Sequence, residues 1–360
     1  MSLPPPSLAQ YILEGKALYE AQDYTEAHET LSQAIRLIEE DQRSYWLPEE
    51  DLAELYLLRG SALMQDDEKA AFSDPDIFFQ VLNDFEQAIE LLPEQGLYYK
   101  LRGRLYLRCT FAEYFDQAKA DFRQALQKDP TDTDSMKHLG EVLAKEEDYT
   151  GALEFLSRVL LDHEDPEVRM LRGVCFFRKD VPDFQAAAGD FGVAQEYMPR
   201  LEELYVWRAQ CFQEMDRIDE AIAEYDRLIA LAPRKAGYYV DRGALNWSID
   251  AAAALEDYDK AIELEQHPLA YNNRACHLLE EGQIDAALSD MQKALPEAET
   301  YPVIYATLAE VYAARSDRNQ MYHYLRLAMK HYYEDVMDVL ENPAFKEYTR
   351  EDRFRELLRS

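Results

Sequence analysis

One spacing recurs nine times along this 360-residue chain and constrains its fold more than any other feature. Ala209, Phe212, Ala221, Tyr225, Leu228 and Pro233 stand at offsets of +3, +12, +16, +19 and +24 from the first of them. The offsets through +19 return at Gly15, Leu18, Ala27, Leu31 and Ala34, and again at Gly140, Leu143, Ala152, Leu156 and Val159. Ala275, Leu278, Ala287, Met291 and Ala294 repeat them, as do Ala309, Tyr312, Met321, Leu325 and Ala328. Four further copies, with small insertions or one deletion, begin at Gly60, Gly103, Gly173 and Gly243. They end in Phe85/Ala88/Pro93, Phe122/Ala125/Pro130, Phe191/Ala194/Pro199 and Tyr258/Ala261. A repeat of this length is one supersecondary unit that cannot bury its own apolar face, so consecutive units must stack.

The residue types predict a helical hairpin in each copy. A small residue followed by a bulky one three positions later lets a second helix approach closely. The Ala, aromatic, Ala triplet at spacings of four and three is one face of that second helix. Proline just past the face ends it. These residues and spacings resemble the tetratricopeptide repeat (TPR), whose pattern runs small, Tyr, Ala, Phe, Ala, Pro. The resemblance covers roughly residues 9–333 and implies an all-α, right-handed superhelical solenoid of about nine helix-turn-helix repeats in a single array. Residues 1–8 are then an N-terminal leader. Residues 334–360, with Glu341-Asn342-Pro343 and Asp352-Arg353-Phe354, are similar to the segment that closes many bacterial TPR arrays, and are expected to cap the last apolar face. Nine extra residues in copy two, around Gln65–Phe79, and three in copy three alter local loops without altering the fold.

A correlated charge pair runs through the same alignment. The residue before the small position is Arg in six copies: Arg59, Arg102, Arg172, Arg208, Arg242 and Arg274. The residue before the second-helix aromatic position is acidic in the same six: Asp84, Asp121, Asp190, Glu224, Asp257 and Asp290. Neither member occurs without the other. The planar guanidinium fork suits a partly buried bridge to a carboxylate between two helices better than Lys would, so the pair is expected to be architectural.

Composition narrows the function classes. Lys and Arg total 38 against 71 Asp and Glu, a formal charge of −33. Such acidity disfavours binding to phosphate backbones, whose counterion-release term needs clustered cations, and disfavours an anionic membrane surface. No apolar run approaches the roughly 20 residues of a spanning helix, and the start, MSLPPPSLAQ, has no basic region followed by an apolar one. Cys109, Cys175, Cys211 and Cys276 form neither CxxC nor a metal-ligand spacing, which points to a reducing cytoplasm and to no structural metal. Cys175 and Cys211 lie two residues after their small positions, where packing is expected rather than reactivity. No GxxxxGK[ST], GxSxG or HExxH motif occurs. The histidines, His28 and His138 among them, are scattered through different copies and read as structural imidazoles. No catalytic residues, metal or cofactor are expected.

Charge is unevenly distributed. Residues 1–96 carry 5 basic and 21 acidic side chains, residues 182–360 carry 19 and 34, and residues 97–181 carry 14 and 16. Within this near-neutral middle, Lys100, Arg104 and Arg108 share one stripe of a first helix at i, i+4, i+8. The TPR resemblance implies that positions three before, one after and five after the small residue line a concave, peptide-binding groove. Lys100, Arg104 and Arg108 take these positions in copy three. Lys137 and Lys145 take the outer two in copy four, around Glu141, and Arg178 takes the last in copy five. Two readings follow. The six cations receive an acidic or carboxylate-terminated peptide, or Asp134, Glu141 and Glu167 on adjacent turns neutralise the stripe. The chaperone-tail clamp of some TPR proteins is not reproduced, because Arg104 and Glu141 replace its Asn. Asn272 and Asn273 are weaker peptide-binding candidates. Tyr45-Trp46 and Phe78-Phe79 are expected to pack rather than dock. The resemblance implies a non-catalytic protein-interaction scaffold with a protein or peptide partner. The alternatives are an acidic adaptor recruiting a basic partner protein and an uncharacterised enzyme on a repeat scaffold.

Overall fold

The structure, a computed structural model, describes residues 7–40, 45–66, 74–109, 114–331 and 342–357. Leader residues 1–6, part of the copy-two insertion (67–73) and cap residues 334–341 and 358–360 lie outside them. The described residues are helical with no strand, and they divide into two compact units, residues 1–197 and 198–360.

The first unit holds five helix pairs: α1 (Leu8–Glu20) with α2 (Tyr24–Glu40), α3 (Glu49–Asp66) with α4 (Pro75–Leu91), α5 (Gly96–Arg108) with α6 (Phe115–Lys128), α7 (Thr133–Lys145) with α8 (Tyr149–Asp162), and α9 (Pro166–Arg178) with α10 (Phe184–Tyr197). The second unit holds four: α11 (Glu202–Glu214) with α12 (Ile218–Leu231), α13 (Ala236–Asn246) with α14 (Ala251–Glu265), α15 (Pro268–Glu280) with α16 (Ile284–Ala294), and α17 (Val303–Ala314) with α18 (Arg318–His331). Within each unit the second helix of a pair packs on the first helix of the next.

The small position explains how the two helices of a pair meet. A Cβ built on Gly103 would stand 2.9 Å from Phe122 Cε1, and one on Gly173 would stand 2.7 Å from Phe191 Cε1. The aromatic ring therefore lies directly on the glycine. Phe85, Phe122 and Phe191 are fully buried at this site, each stabilising its pair by about 2–3 kcal/mol. The prolines fall where the pattern puts them, two residues past the last helical residue at Pro93, Pro130, Pro199 and Pro233.

The turn between helices carries a feature the offsets do not reveal. In the five undistorted copies the residue seven after the small position is left-handed: Gln22 (φ 64°), Glu147 (65°), Asp216 (57°), Gly282 (73°) and Ser316 (61°). The next N–H then reaches back across the helix end, as in Asp148 to Leu143 O at 2.9 Å and Gln283 to Leu278 O at 2.7 Å. This is a Schellman closure, which satisfies carbonyls that the helix leaves open.

The last pair is covered by the chain's end. Residues Pro343–Phe345 form one 3-10 turn and α19 spans Asp352–Leu357. Phe345 and Phe354 are buried against Met321, Tyr322 and Leu325. Tyr348 Oη donates to Ala313 O at 3.1 Å, and Tyr322 Oη donates to Glu351 at 2.9 Å.

Candidate peptide-binding face

First helices of successive pairs touch one another, α5 with α7 and α7 with α9, so their outward positions line one face of the first unit. Lys100, Arg104 and Arg108 project from α5, Lys137 and Lys145 from α7, and Arg178 from α9. The structure sorts these six cations by what they touch.

Lys100 and Lys137 are tied down. The Lys100 ammonium lies 3.2 Å from Asp132 and 3.7 Å from Asp134, at the start of α7. One pair further on, Lys137 lies 2.9 Å from both Asp165 and Glu167, at the start of α9. Each lysine thus joins its own helix to the N-terminal turn of the next first helix, where carboxylates also favour the helix dipole. Lys137 holds the Asp165 carboxyl below its usual range despite that group's partial burial. Lys145 is exposed and sits 3.6 Å from Glu141. Burial disfavours the charge on Glu141, but His138, Lys145 and Arg108 outweigh it and hold the carboxyl below the ordinary value. Arg108 and Arg178 are exposed at the ends of α5 and α9. Arg104 is half-buried, and among the described residues no carboxylate lies within ion-pair distance of it. The expected neutralisers Asp134, Glu141 and Glu167 therefore engage Lys100, Lys145 and Lys137.

The arginine–carboxylate pairs bridge the two helices of one hairpin. Arg102 gives Nε and Nη2 to the two oxygens of Asp121, both at 2.8 Å, and Arg172 does the same with Asp190 at 2.7 and 2.8 Å. Arg59–Asp84, Arg242–Asp257 and Arg274–Asp290 are also two-pronged, while Arg208 reaches Glu224 through Nη1 at 3.1 Å. The six acids are at most 4% exposed. Burial pushes the Asp84 and Asp121 carboxyls up, and the arginines offset part of that. The alignment did not reveal a further partner two residues past the acid position, on the preceding pair's second helix. Arg242 Nη1 reaches Asp226, Arg274 Nη1 reaches Asp259, and Arg172 Nη1 reaches Ser157.

Other sequence candidates separate cleanly. Asn272 is buried and donates to Asn273 Oδ1 at 3.2 Å. His138 is buried on the ring of Phe122, with ring centroids 5.5 Å apart. Phe78 is fully buried against Tyr106 and Tyr114, but Trp46 is 81% and Phe79 55% exposed, and both depart from the expectation of packing. Cys175 and Cys211 are buried in the core, which pushes each thiol up to about 12.

Family models describing the tetratricopeptide repeat match residues 112–175 and 202–235. The C-terminal part of a TPR repeat-containing protein from Cytophaga hutchinsonii has the same fold, with a TM-score of 0.54 at 14% identity over 71% of this chain and 95% of that one. The chain is a tetratricopeptide repeat protein. Among curated TPR-matching relatives, it is 26% identical over 184 residues to the human mitochondrial import receptor subunit TOM70, covering 49% of this chain and 30% of that protein. It is 26% identical over 205 residues to human tetratricopeptide repeat protein 13, covering 54% and 24%. The chain therefore spans less than a third of the length of these relatives. TPR proteins are typically scaffolds for protein–protein interaction, and no described helix here is long and apolar enough to cross a membrane.

Proposed function

We propose that this TPR protein is a non-catalytic scaffold whose α5–α7–α9 face captures an acidic or carboxylate-terminated segment of a partner protein. The observation that carries this reading is Arg104: a half-buried guanidinium with no carboxylate in reach among the described residues, one turn from the exposed Arg108. An arginine held on a packed helix offers a planar fork at little entropic cost, which suits a carboxylate ligand. Lys100 and Lys137 are positioning residues in this reading, because their own ion pairs fix the helices that present Arg104, Arg108, Lys145 and Arg178. The same proposal places the chain in the cytoplasm, where its four free cysteines stay reduced.

The test is fluorescence anisotropy with a labelled acidic peptide bearing a free C-terminal carboxylate, and with its C-terminal amide. Arg104→Glu and Arg108→Glu should each weaken binding about tenfold or more, equivalent to about 1.4 kcal/mol. Unchanged affinity in both variants sinks the proposal. Equal affinity for the acid and the amide assigns recognition to the acidic side chains alone.

A further inference from the structure

A cavity of about 480 Å³ opens in the second unit, between α14 of one pair and α15 and α16 of the next. Its volume lies in the range of sites that hold a small ligand or one large side chain. Leu255 and Leu278 supply apolar walls, each already packed on one side against a core cluster. The inner end is the Arg274–Asp290 bridge, and Asp259, His277 and Glu281 stand around it.

The charges in this cavity do not balance. Three carboxylates, Asp259, Glu281 and Asp290, face one guanidinium, and the Lys293 ammonium reaches Asp290 from outside the lining at 3.3 Å, leaving a net charge of −1 with His277 neutral. Arg274 is fully engaged, with Nε and Nη2 on Asp290 and Nη1 on Asp259. Glu281 is different. It accepts from the neutral amide of Gln283 at 2.8 Å and lies 3.4 Å from His277 Nε2. Among the described residues no lysine or arginine is within ion-pair distance of Glu281. The carboxylate is exposed at the mouth of a pocket whose walls are leucine.

We infer that this cavity receives a lysine or arginine side chain from a partner polypeptide lying across α14 and α16. The methylene stem runs along Leu255 and Leu278, and the charged head meets Glu281 and the outer oxygen of Asp259. Long basic side chains combine an apolar stem with a charged tip in this way. The surrounding excess of acidic groups raises the local concentration of a basic partner before contact. The site is separate from the α5–α7–α9 face, so one chain can hold an acidic segment on one surface and a basic one on another.

The experiment uses the full chain and a fluorescein-labelled Ala-Leu-Arg-Leu-Ala peptide with a blocked C-terminus, together with its citrulline counterpart, which keeps the shape and loses the charge. The arginine peptide should bind, and the citrulline peptide should bind about tenfold more weakly. Glu281→Gln should cost about fivefold. Ser289→Trp, at an exposed position lining the cavity, should abolish binding by filling it, with far-UV circular dichroism unchanged. Glu299→Gln, the same charge change elsewhere on the unit, should have no effect, and neither should Arg104→Glu. No binding of the arginine peptide, equal binding of both peptides, or equal losses in Glu281→Gln and Glu299→Gln would overturn the inference.

Discussion

Arg59 and Asp84 lie 25 positions apart on the two helices of one pair and exchange two hydrogen bonds, Nε to Oδ2 at 3.0 Å and Nη2 to Oδ1 at 2.5 Å. The carboxylate is only 2% exposed, so the arginine is what makes its burial tolerable. The same two-pronged arrangement recurs in four of the other five copies that carry the pair, while Arg208 reaches Glu224 through Nη1. It fixes the rotation of one helix about the other, because a slip of either helix by one residue would break both bonds and leave a buried charge.

The Arg102–Asp121 bridge makes this measurable. Arg102→Ala leaves Asp121, 4% exposed, without its cation and should destabilise the chain by about 3–5 kcal/mol. Arg102→Leu combined with Asp121→Leu should lose much less than either single change, since the uncompensated charge is gone. Urea denaturation followed by circular dichroism in a double-mutant cycle separates the two. Additive losses would mean that the two groups are not coupled.

Two glycines of the same pair should respond with opposite signs. Gly173 faces Phe191, and an added methyl has no room there, whereas nothing lies within 4 Å of a Cβ on Gly189 in α10. Gly173→Ala should cost about 1–3 kcal/mol through overpacking. Gly189→Ala should gain about 0.5–1 kcal/mol through helix propensity. Thermal unfolding of the two variants tests this directly, and a loss in Gly189→Ala would contradict it.

The architecture was legible because the small residue recurs in all nine copies, the second-helix aromatic in five and the closing proline in four. Small residue, aromatic and proline each mark a contact that any one copy could obscure and the set does not. The hairpin bridges were legible for the same reason, as a correlation between positions that must be close. The left-handed turn was not, because four of its five occurrences are Gln22, Glu147, Asp216 and Ser316 rather than glycine. On the candidate face, charge spacing located six cations but not which of them the start of the next helix would neutralise. That depends on Asp132 and Asp165, whose approach to Lys100 and Lys137 is set by stacking between pairs.

The left-handed turn gives its own prediction. Glu147 has φ 65°, a conformation that costs a residue with a Cβ about 1–2 kcal/mol and glycine almost nothing. Glycine loses more freedom on folding, about 0.5–1 kcal/mol. Glu147→Gly should therefore stabilise the chain by about 0.5–1 kcal/mol, and Gly282→Ala should destabilise it by a similar amount. Melting temperatures moving the other way in both variants would show that the turn is not strained.

Glu310 gives the pH dependence. It projects from α17 as a half-buried side chain, and Asn342 Nδ2 donates to its Oε1 at 2.9 Å. Burial raises its carboxyl from the ordinary 4.5 to about 7, with Asn342 offsetting part of the rise. The folded chain therefore holds this proton more tightly than the unfolded chain does. The cost to the native state is absent below pH 4.5, grows as pH rises toward 7 and is fully present above it. Glu310→Gln keeps an oxygen for Asn342 and removes the charge. It should raise stability by about 2–3 kcal/mol at pH 8 and leave it unchanged at pH 4. The Cys276 thiol, pushed up to about 11 first by burial and then by the Glu310 charge, should titrate lower in the same variant. Denaturation midpoints at the two pH values, with thiol alkylation rates as a second readout, decide the matter. A gain of equal size at both would remove Glu310 as the titrating group.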